Sequence, residues 1–131
     1  MLVVEDHALI RDLWVKIYEG KGDVDVAGAT GDFEEAMELV KQHQPDLVSL
    51  DINLGEYSGA DAVPLIQQHS PNTRIMAVSM HAQPNYLKQM LGLGAMGYVT
   101  KSSPHAELYK AIDEIWAGRV YVCDEMKPHV G

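Results

Sequence analysis

The sequence has little of several features that define other protein classes. It contains one cysteine, Cys123, which cannot form an intrachain disulfide or a multi-cysteine metal motif. No apolar run approaches the roughly 20 residues needed to cross a bilayer. The N-terminus lacks the basic start and long apolar stretch of a signal peptide. We therefore expect a cytoplasmic protein with no membrane partner.

Basic residues are also scarce. The chain has 10 Lys and Arg against 19 Asp and Glu, a formal net charge of −9. The basic residues are spread from Arg11 to Lys127 and form no cluster. Because binding to nucleic acid depends on attraction to phosphates, this chain alone should not bind DNA.

What remains is the composition of one ordinary domain. The chain has 131 residues, of which 47% are hydrophobic and 22% charged. A domain of this size buries about two thirds of the surface that its unfolded chain exposes. It therefore needs neither disulfides nor a metal to form its core.

Short apolar runs alternate with stretches of helical period, which is typical of a parallel sheet covered by helices on both faces. We predict an α/β fold with five strands and five helices. The predicted strands comprise residues 2–4, 24–27, 47–50, 75–78 and 98–100.

The helices are predicted from apolar spacing and from capping residues. The third helix begins near Gly59 and tolerates Pro64 only if that proline lies in the first turn. The last helix begins with Ser103 as N-cap and ends at Gly118. The first helix should turn inward a stripe made of Ile10, Leu13, Trp14 and Ile17.

Reactive side chains stand where four of the predicted strands end. Glu5 and Asp6 follow the first strand, Asp51 the third, Ser79 the fourth and Lys101 the fifth. The carboxyl ends of parallel strands share one edge of a sheet, so these residues should converge. Carboxylates about 4 Å apart repel by roughly 4 kcal/mol per pair at an effective dielectric near 20, which calls for a cation.

Magnesium suits such a cluster, because it prefers oxygen ligands and retains waters that phosphate oxygens can replace. Lys101 would add a positive charge and Ser79 a hydroxyl donor, so the site favours attack of Asp51 on phosphorus to give an aspartyl phosphate. Taken singly, each residue has another interpretation. An acid at a strand end often caps or compensates a helix, and a lysine is commonly a solvated surface charge. The specificity lies in the conjunction.

These residues, in this order along five βα units, resemble the receiver domain of two-component response regulators. The resemblance spans Leu2 to about Tyr121. The segments Ser79-Met80-His81 and 94–101 are similar to those of the NarL/FixJ subfamily. The resemblance to receiver domains implies a flavodoxin-like (βα)5 fold with strand order 2-1-3-4-5. It also implies a receiver over residues 1–121 and a tail or linker over residues 122–131.

The resemblance also implies a role for each matching residue. Asp51 would be the phosphoacceptor, served by a sensor histidine kinase. Asp6 would bind Mg²⁺ directly, Glu5 through water, and Asn53 through its backbone carbonyl. Together with Asp51 they would form the metal site.

Lys101 and Ser79 would bind the phosphoryl group, and Tyr98 would switch by turning its ring inward. The alternative for Tyr98 is a half-buried strand aromatic. Asn53 and His81 occupy the positions that tune phosphoryl lifetime in such domains. His81 could equally be a surface histidine.

Two positions depart from the pattern of the family. Gly55 stands where most receivers have proline, so the loop after Asp51 should be looser. Ser102 follows Lys101 where many receivers have a proline joined by a cis bond, and a cis bond without proline would cost about 3 to 4 kcal/mol.

Other functions fit the sequence less well. A dehalogenase-type phosphohydrolase needs a second aspartate where Asn53 stands, and a flavin or cobalamin module needs loops that this chain lacks. A degenerate or single-domain receiver stays open. We expect a signalling domain rather than an enzyme, with Mg-dependent self-phosphorylation and autodephosphorylation. A homodimer could form on phosphorylation, and DNA would be bound only through a helix-turn-helix domain beyond this chain.

Overall fold

The computed structural model describes residues 1–80 and 84–130. Its strands are β1 (Leu2–Val4), β2 (Gly28–Thr30), β3 (Leu47–Asp51), β4 (Asn53–Leu54), β5 (Tyr57–Ser58), β6 (Arg74–Ser79), β7 (Gly97–Thr100) and β8 (Tyr121–Val122). Its helices are α1 (Ala8–Glu19), α2 (Phe33–His43), α3 (Gly59–His69), α4 (Pro84–Gly92), α5 (His105–Trp116) and the 3-10 helix η1 (Lys127–His129).

The main sheet is parallel, in the order β2-β1-β3-β6-β7-β8. With β6 and β7 as the fourth and fifth predicted strands, the order 2-1-3-4-5 is confirmed. The short strand β8 adds an edge beyond the prediction. Val3 and Val48 are fully buried on adjacent central strands, as expected when helices cover both faces. Strands β4 and β5 form a separate antiparallel hairpin.

The second strand lies further along the chain than predicted. It comprises Gly28–Thr30, with Leu2 paired to Gly28, rather than residues 24–27. Val24 and Val26 are partly buried against the core but belong to no strand. Val24 and Val26 alternate with exposed residues, as in a half-buried strand. An extended loop can bury every second side chain in the same way without forming hydrogen bonds to a neighbouring strand.

The inner stripe of α1 also differs by one member. Leu13 is 51% exposed, whereas Trp14, Ile17 and Tyr18 are buried. Tyr18 lies four residues after Trp14 and so shares its face of the helix. Its hydroxyl lies 2.8 Å from Ser49 Oγ in β3, so its polar end has a partner inside the core.

Helix α3 begins at Gly59 as predicted, but the position of Pro64 in it and the N-cap of α5 differ from the predictions. Pro64 lies in the second turn of α3, which begins at Gly59 and is capped by a Ser58–Asp61 capping box. Pro64 is exposed, so water can bond the carbonyl that the proline leaves without an N–H donor. In α5 the N-cap is Pro104. Ser103 does not cap α5, because its Oγ accepts the Thr100 N–H instead.

The segment beyond Tyr121 packs onto the domain. Val122 lies in β8, and Cys123 and Met126 are buried. The Cys123 N–H donates to the Tyr98 carbonyl at 3.0 Å, which extends the contact with β7. Over the described residues, no helix combines the length and apolar content that a membrane crossing would require.

Candidate functional site

Strand register brings the predicted site residues to one edge of the sheet. Val4 is level with Leu50, so Glu5 follows β1 beside Asp51 at the end of β3. Asp51 is level with Val78, and Ser79 is level with Thr100. Lys101 therefore follows β7 at the same edge. The predicted convergence of these strand ends is confirmed.

Three carboxylates form the centre of this edge. Oxygens of Glu5, Asp6 and Asp51 all lie within 4.8 Å of one another. Glu5 and Asp51 are 1% and 3% exposed, whereas Asp6 is exposed to solvent. An exposed acid beside two buried ones gives a cluster that an ion can reach from solvent.

Lys101 lies between the two buried acids. Its Nζ is 2.6 Å from Glu5 Oε1 and 3.2 Å from Asp51 Oδ2. Burial lowers the pKa of Lys101, but the two carboxylates outweigh it and hold that pKa above its ordinary value. The sequence predicted a pairing with Asp51 or with a phosphoryl oxygen, and did not anticipate the shorter contact with Glu5.

The two buried acids differ in proton affinity. Burial first, and then the adjacent Glu5, raise the pKa of Asp51 to about 7. Burial also disfavours ionised Glu5, but hydrogen bonding to Asp51 and Lys101 prevails and lowers the pKa of Glu5. One lysine does not balance three carboxylates, and close oxygen donors are what Mg²⁺ prefers. The donor set therefore fits a magnesium ion.

Backbone groups hold the acids in place. The Asn53 N–H donates to Asp51 Oδ1 at 3.0 Å, and Arg11 donates to the Glu5 carbonyl at 3.0 Å. Gly31 packs so closely that a Cβ there would lie 2.7 Å from Asp6 Cα and 2.9 Å from Glu5 O. Gly31 and Arg11 were not predicted from the sequence, because no local spacing links either residue to the acids.

The predicted switch residues are both buried. Ser79 and Tyr98 have 0% exposure on neighbouring strands. Burial raises the pKa of Tyr98, and the nearby Ser79 side chain offsets part of that effect. The ring of Tyr98 thus lies inside the protein in this structure. The prediction for His81 falls outside the described residues.

The loop after Asp51 forms the β4–β5 hairpin. Gly55 is in its turn, with a φ of +66° that favours glycine. Tyr57 at the far side stacks on Phe33 at the start of α2, with ring centroids 4.2 Å apart and an angle of 16°. The hairpin and this stack hold the segment in the absence of the proline that receivers commonly have there.

Ser102 lies in a trans backbone, since no cis peptide bond occurs among residues 1–80 and 84–130. Its Oγ donates to Glu125 Oε2 at 3.3 Å, and Thr100 Oγ1 donates to the same oxygen at 3.3 Å. Glu125 was predicted to lie in the tail, and its contact with this loop was not anticipated. A separation of more than 20 residues leaves no pattern that could have revealed it.

The fold and site define a class: a doubly wound α/β domain with an acidic cation site, a buried hydroxyl and a lysine at one sheet edge. The sequence-family model of the response regulator receiver domain matches residues 1–113 of this chain. The chain belongs to this family. The predicted receiver is thereby confirmed, and the phosphohydrolase and ligand-binding alternatives are not favoured.

Individual relatives agree with the family. The chain is 32% identical over 128 residues to the oxygen regulatory protein NreC of Staphylococcus carnosus, covering 96% of this chain and 58% of that protein. It thus spans little more than half the length of that relative.

Among solved structures, a LuxR-family two-component response regulator from Aurantimonas sp. aligns with a TM-score of 0.93 at 32% identity, over 98% of this chain and 92% of that one. The signal receiver domain of NarL from Mycobacterium tuberculosis aligns with a TM-score of 0.83 at 33% identity, over 90% and 95%.

Proposed function

We propose that Asp51 accepts a phosphoryl group from the phosphohistidine of a sensor kinase, with Mg²⁺ as cofactor. The observation that carries the proposal is the position of Asp51, which is buried next to Lys101 and Glu5 and beside a solvent-exposed Asp6. The chain is a signalling domain rather than an enzyme, and its self-phosphorylation and autodephosphorylation belong to this proposal.

The contacts of Asp51 suit it to nucleophilic attack. One carboxylate oxygen accepts the Asn53 N–H and the other lies 3.2 Å from Lys101 Nζ, so the group has a defined orientation. An Asp51 oxygen attacks phosphorus, the P–N bond breaks, and its electron pair returns to the imidazole. The donor ring, protonated on its other nitrogen, leaves neutral.

Asp6, Asp51, Glu5 through water and the backbone carbonyl of Asn53 would hold the metal. Bound magnesium would supply positive charge against the carboxylates and the transferring phosphoryl group. Lys101 would then turn from Glu5 to a phosphoryl oxygen and add a charge-assisted hydrogen bond.

The phosphoryl group would bias two conformations of the domain. Ser79 would donate to it, and the buried Tyr98 would hold the inward position. A shift from 1:99 to 99:1 needs about 5.5 kcal/mol of differential interaction, which a new dianion engaging Ser79, Lys101 and magnesium can supply. Asn53 and His81 would set the lifetime of the phosphoryl group.

The output proposed is control of transcription in the cytoplasm. The relative MctR of Rhizobium johnstonii is a transcriptional regulatory protein, and this chain covers 56% of its length. We infer that a helix-turn-helix domain outside the chain binds DNA and that phosphorylation favours a homodimer. The first and fifth helices, or the face around the fourth and fifth, would form that dimer.

The test is incubation with acetyl phosphate and MgCl₂, followed by intact-mass measurement. We expect one added phosphoryl mass, lost in Asp51→Asn and strongly reduced in Asp6→Asn or in EDTA. Asp12→Asn, an exposed acid on α1, is the matched control and should be phosphorylated normally. Absence of the added mass, or its persistence in Asp51→Asn, would contradict the proposal.

A further inference from the structure

The C-terminal segment contacts the loop that carries Lys101. Thr100 and Ser102, which flank Lys101, both donate to Glu125 Oε2 at 3.3 Å. Thr100 Oγ1 also lies 3.1 Å from Ser102 Oγ and 3.3 Å from Ser103 Oγ. We call these hydroxyls and the carboxylate, formed by Thr100, Ser102, Ser103 and Glu125, the Glu125 network.

Glu125 comes from an anchored part of the chain. Strand β8 runs parallel to β7 and delivers the following residues to the edge of the sheet where Asp51 lies. Cys123 and Met126 are buried on either side of Glu125. Glu107 of α5 accepts the Tyr121 hydroxyl and the Asp124 N–H, each at 2.9 Å. Glu125 can therefore restrain the loop instead of moving with it.

Glu125, the carboxylate of the network, lies outside what the family match covers. The receiver match ends at residue 113, so Glu125 is beyond it. Ser102 stands where receivers commonly have proline, and proline has no hydroxyl to donate. At this position the rigid proline ring is thus replaced by Ser102, whose hydroxyl donates a hydrogen bond to Glu125 in the C-terminal segment.

We propose that Glu125 is a positioning residue for the phosphoryl chemistry, acting through Ser102 and Thr100 on the loop that carries Lys101. The inference rests on the proposed function of Asp51. Lys101 Nζ is already 3.2 Å from Asp51 Oδ2, so a phosphoryl group on that carboxylate comes within its reach without movement of the backbone. Fixing the loop beforehand removes part of the ordering cost of binding the group.

Coupling between two sites is reciprocal. If Glu125 favours the phosphoryl-bound state, then a phosphoryl analogue must strengthen the Glu125 network by the same factor. Amide exchange of residues 123–130 should therefore slow when the analogue binds at Asp51.

The experiment uses the full chain with Mg²⁺ and beryllofluoride, an acyl-phosphate mimic, followed by fluorine NMR titration. Glu125→Ala and Ser102→Ala should each weaken binding about threefold to tenfold, the range of one modest hydrogen bond. The double variant should bind beryllofluoride no more weakly than Glu125→Ala, because that substitution already removes the bond from Ser102. Ser102→Thr keeps the hydroxyl and should restore native affinity.

Asp124→Ala is the matched control. It removes an equal charge from the same segment, but its carboxylate bonds Lys127 rather than the loop. It should bind beryllofluoride like the native chain. The urea midpoint of metal-free Glu125→Ala is measured alongside, since a purely structural role would lower that midpoint and leave the affinity for beryllofluoride unchanged.

Native affinity in Glu125→Ala, tighter binding, or an equal loss in Asp124→Ala would overturn the inference. So would exchange of residues 123–130 that does not slow on binding in the native chain. If the native chain neither binds beryllofluoride nor gains phosphoryl mass from acetyl phosphate, the proposed function itself fails, and this inference fails with it.

Discussion

Replacing Asp51 by asparagine should stabilise the metal-free protein, and more so as the pH rises. Burial and the neighbouring Glu5 raise the pKa of Asp51 to about 7 in the folded protein. In the unfolded chain an aspartate titrates near pH 3.9. Between these values the folded state binds more protons than the unfolded chain, so the free energy of unfolding falls as pH rises.

The size of the effect follows from the two pKa values. The free energy of unfolding falls by at most about 1.4 kcal/mol per pH unit in this range, or about 2 kcal/mol from pH 5 to pH 7, because Asp51 is already half ionised at pH 7. Coulomb repulsion has the same order of magnitude, since carboxylate oxygens within 4.8 Å of one another repel by at least about 3.5 kcal/mol at an effective dielectric of 20. The amide introduced by Asp51→Asn does not titrate, so the variant escapes this loss.

The assay is urea unfolding of the native chain and Asp51→Asn in EDTA at pH 5, 6, 7 and 8. The stability gap should widen by about 2 to 3 kcal/mol from the lowest pH to the highest. Adding Mg²⁺ at about 100 times its Kd should return about 2.7 kcal/mol to the native chain. Asp12→Asn should track the native protein at every pH. A gap that stays constant or narrows with pH would refute the reasoning.

Three further substitutions test the framework of the site. Tyr18→Phe leaves the buried Ser49 hydroxyl without its partner and should lower the free energy of unfolding by about 1 to 2 kcal/mol in urea; no change would contradict a buried hydrogen bond. Gly31→Ala forces a Cβ to within 2.7 Å of backbone and should cost about 1 to 3 kcal/mol, whereas Gly92→Ala, with open space around it, should unfold like the native chain. Lys101→Ala leaves buried carboxylates uncompensated and should destabilise the metal-free protein by about 3 to 5 kcal/mol at pH 8 by thermal or urea unfolding; a loss below about 1 kcal/mol would show that the ion pairs contribute little to stability.

The fold could be predicted from the sequence because the apolar runs that indicate strands are followed directly by the reactive residues of the site. Runs such as residues 47–50 are buried on both faces and therefore read as continuous apolar stretches. Asp51 follows directly, so its location at the carboxyl edge needed only the parallel arrangement of the strands. Where burial was partial, prediction failed: Val24 and Val26 gave a strand pattern without strand pairing.

Contacts between distant parts of the chain could not be predicted. Whether Leu13 or Tyr18 turns inward depends on Ser49, which lies 31 residues beyond Tyr18. The contact of Gly31 with Glu5 and Asp6 could not be predicted either, because it forms only when β2 pairs with β1.

By itself the sequence determined the alternation of strands and helices and the reactive groups at their ends, because spacing and apolar runs are local properties of the chain. Only the tertiary structure decided which of those groups are buried, which form ion pairs and how their pKa values differ. Burial separates the proton affinities of Glu5 and Asp51, and Lys101 bridges both. Only the tertiary structure showed that Glu125 accepts a hydrogen bond from the loop that carries Lys101. That contact depends on the path of β8 and not on any local pattern of residues.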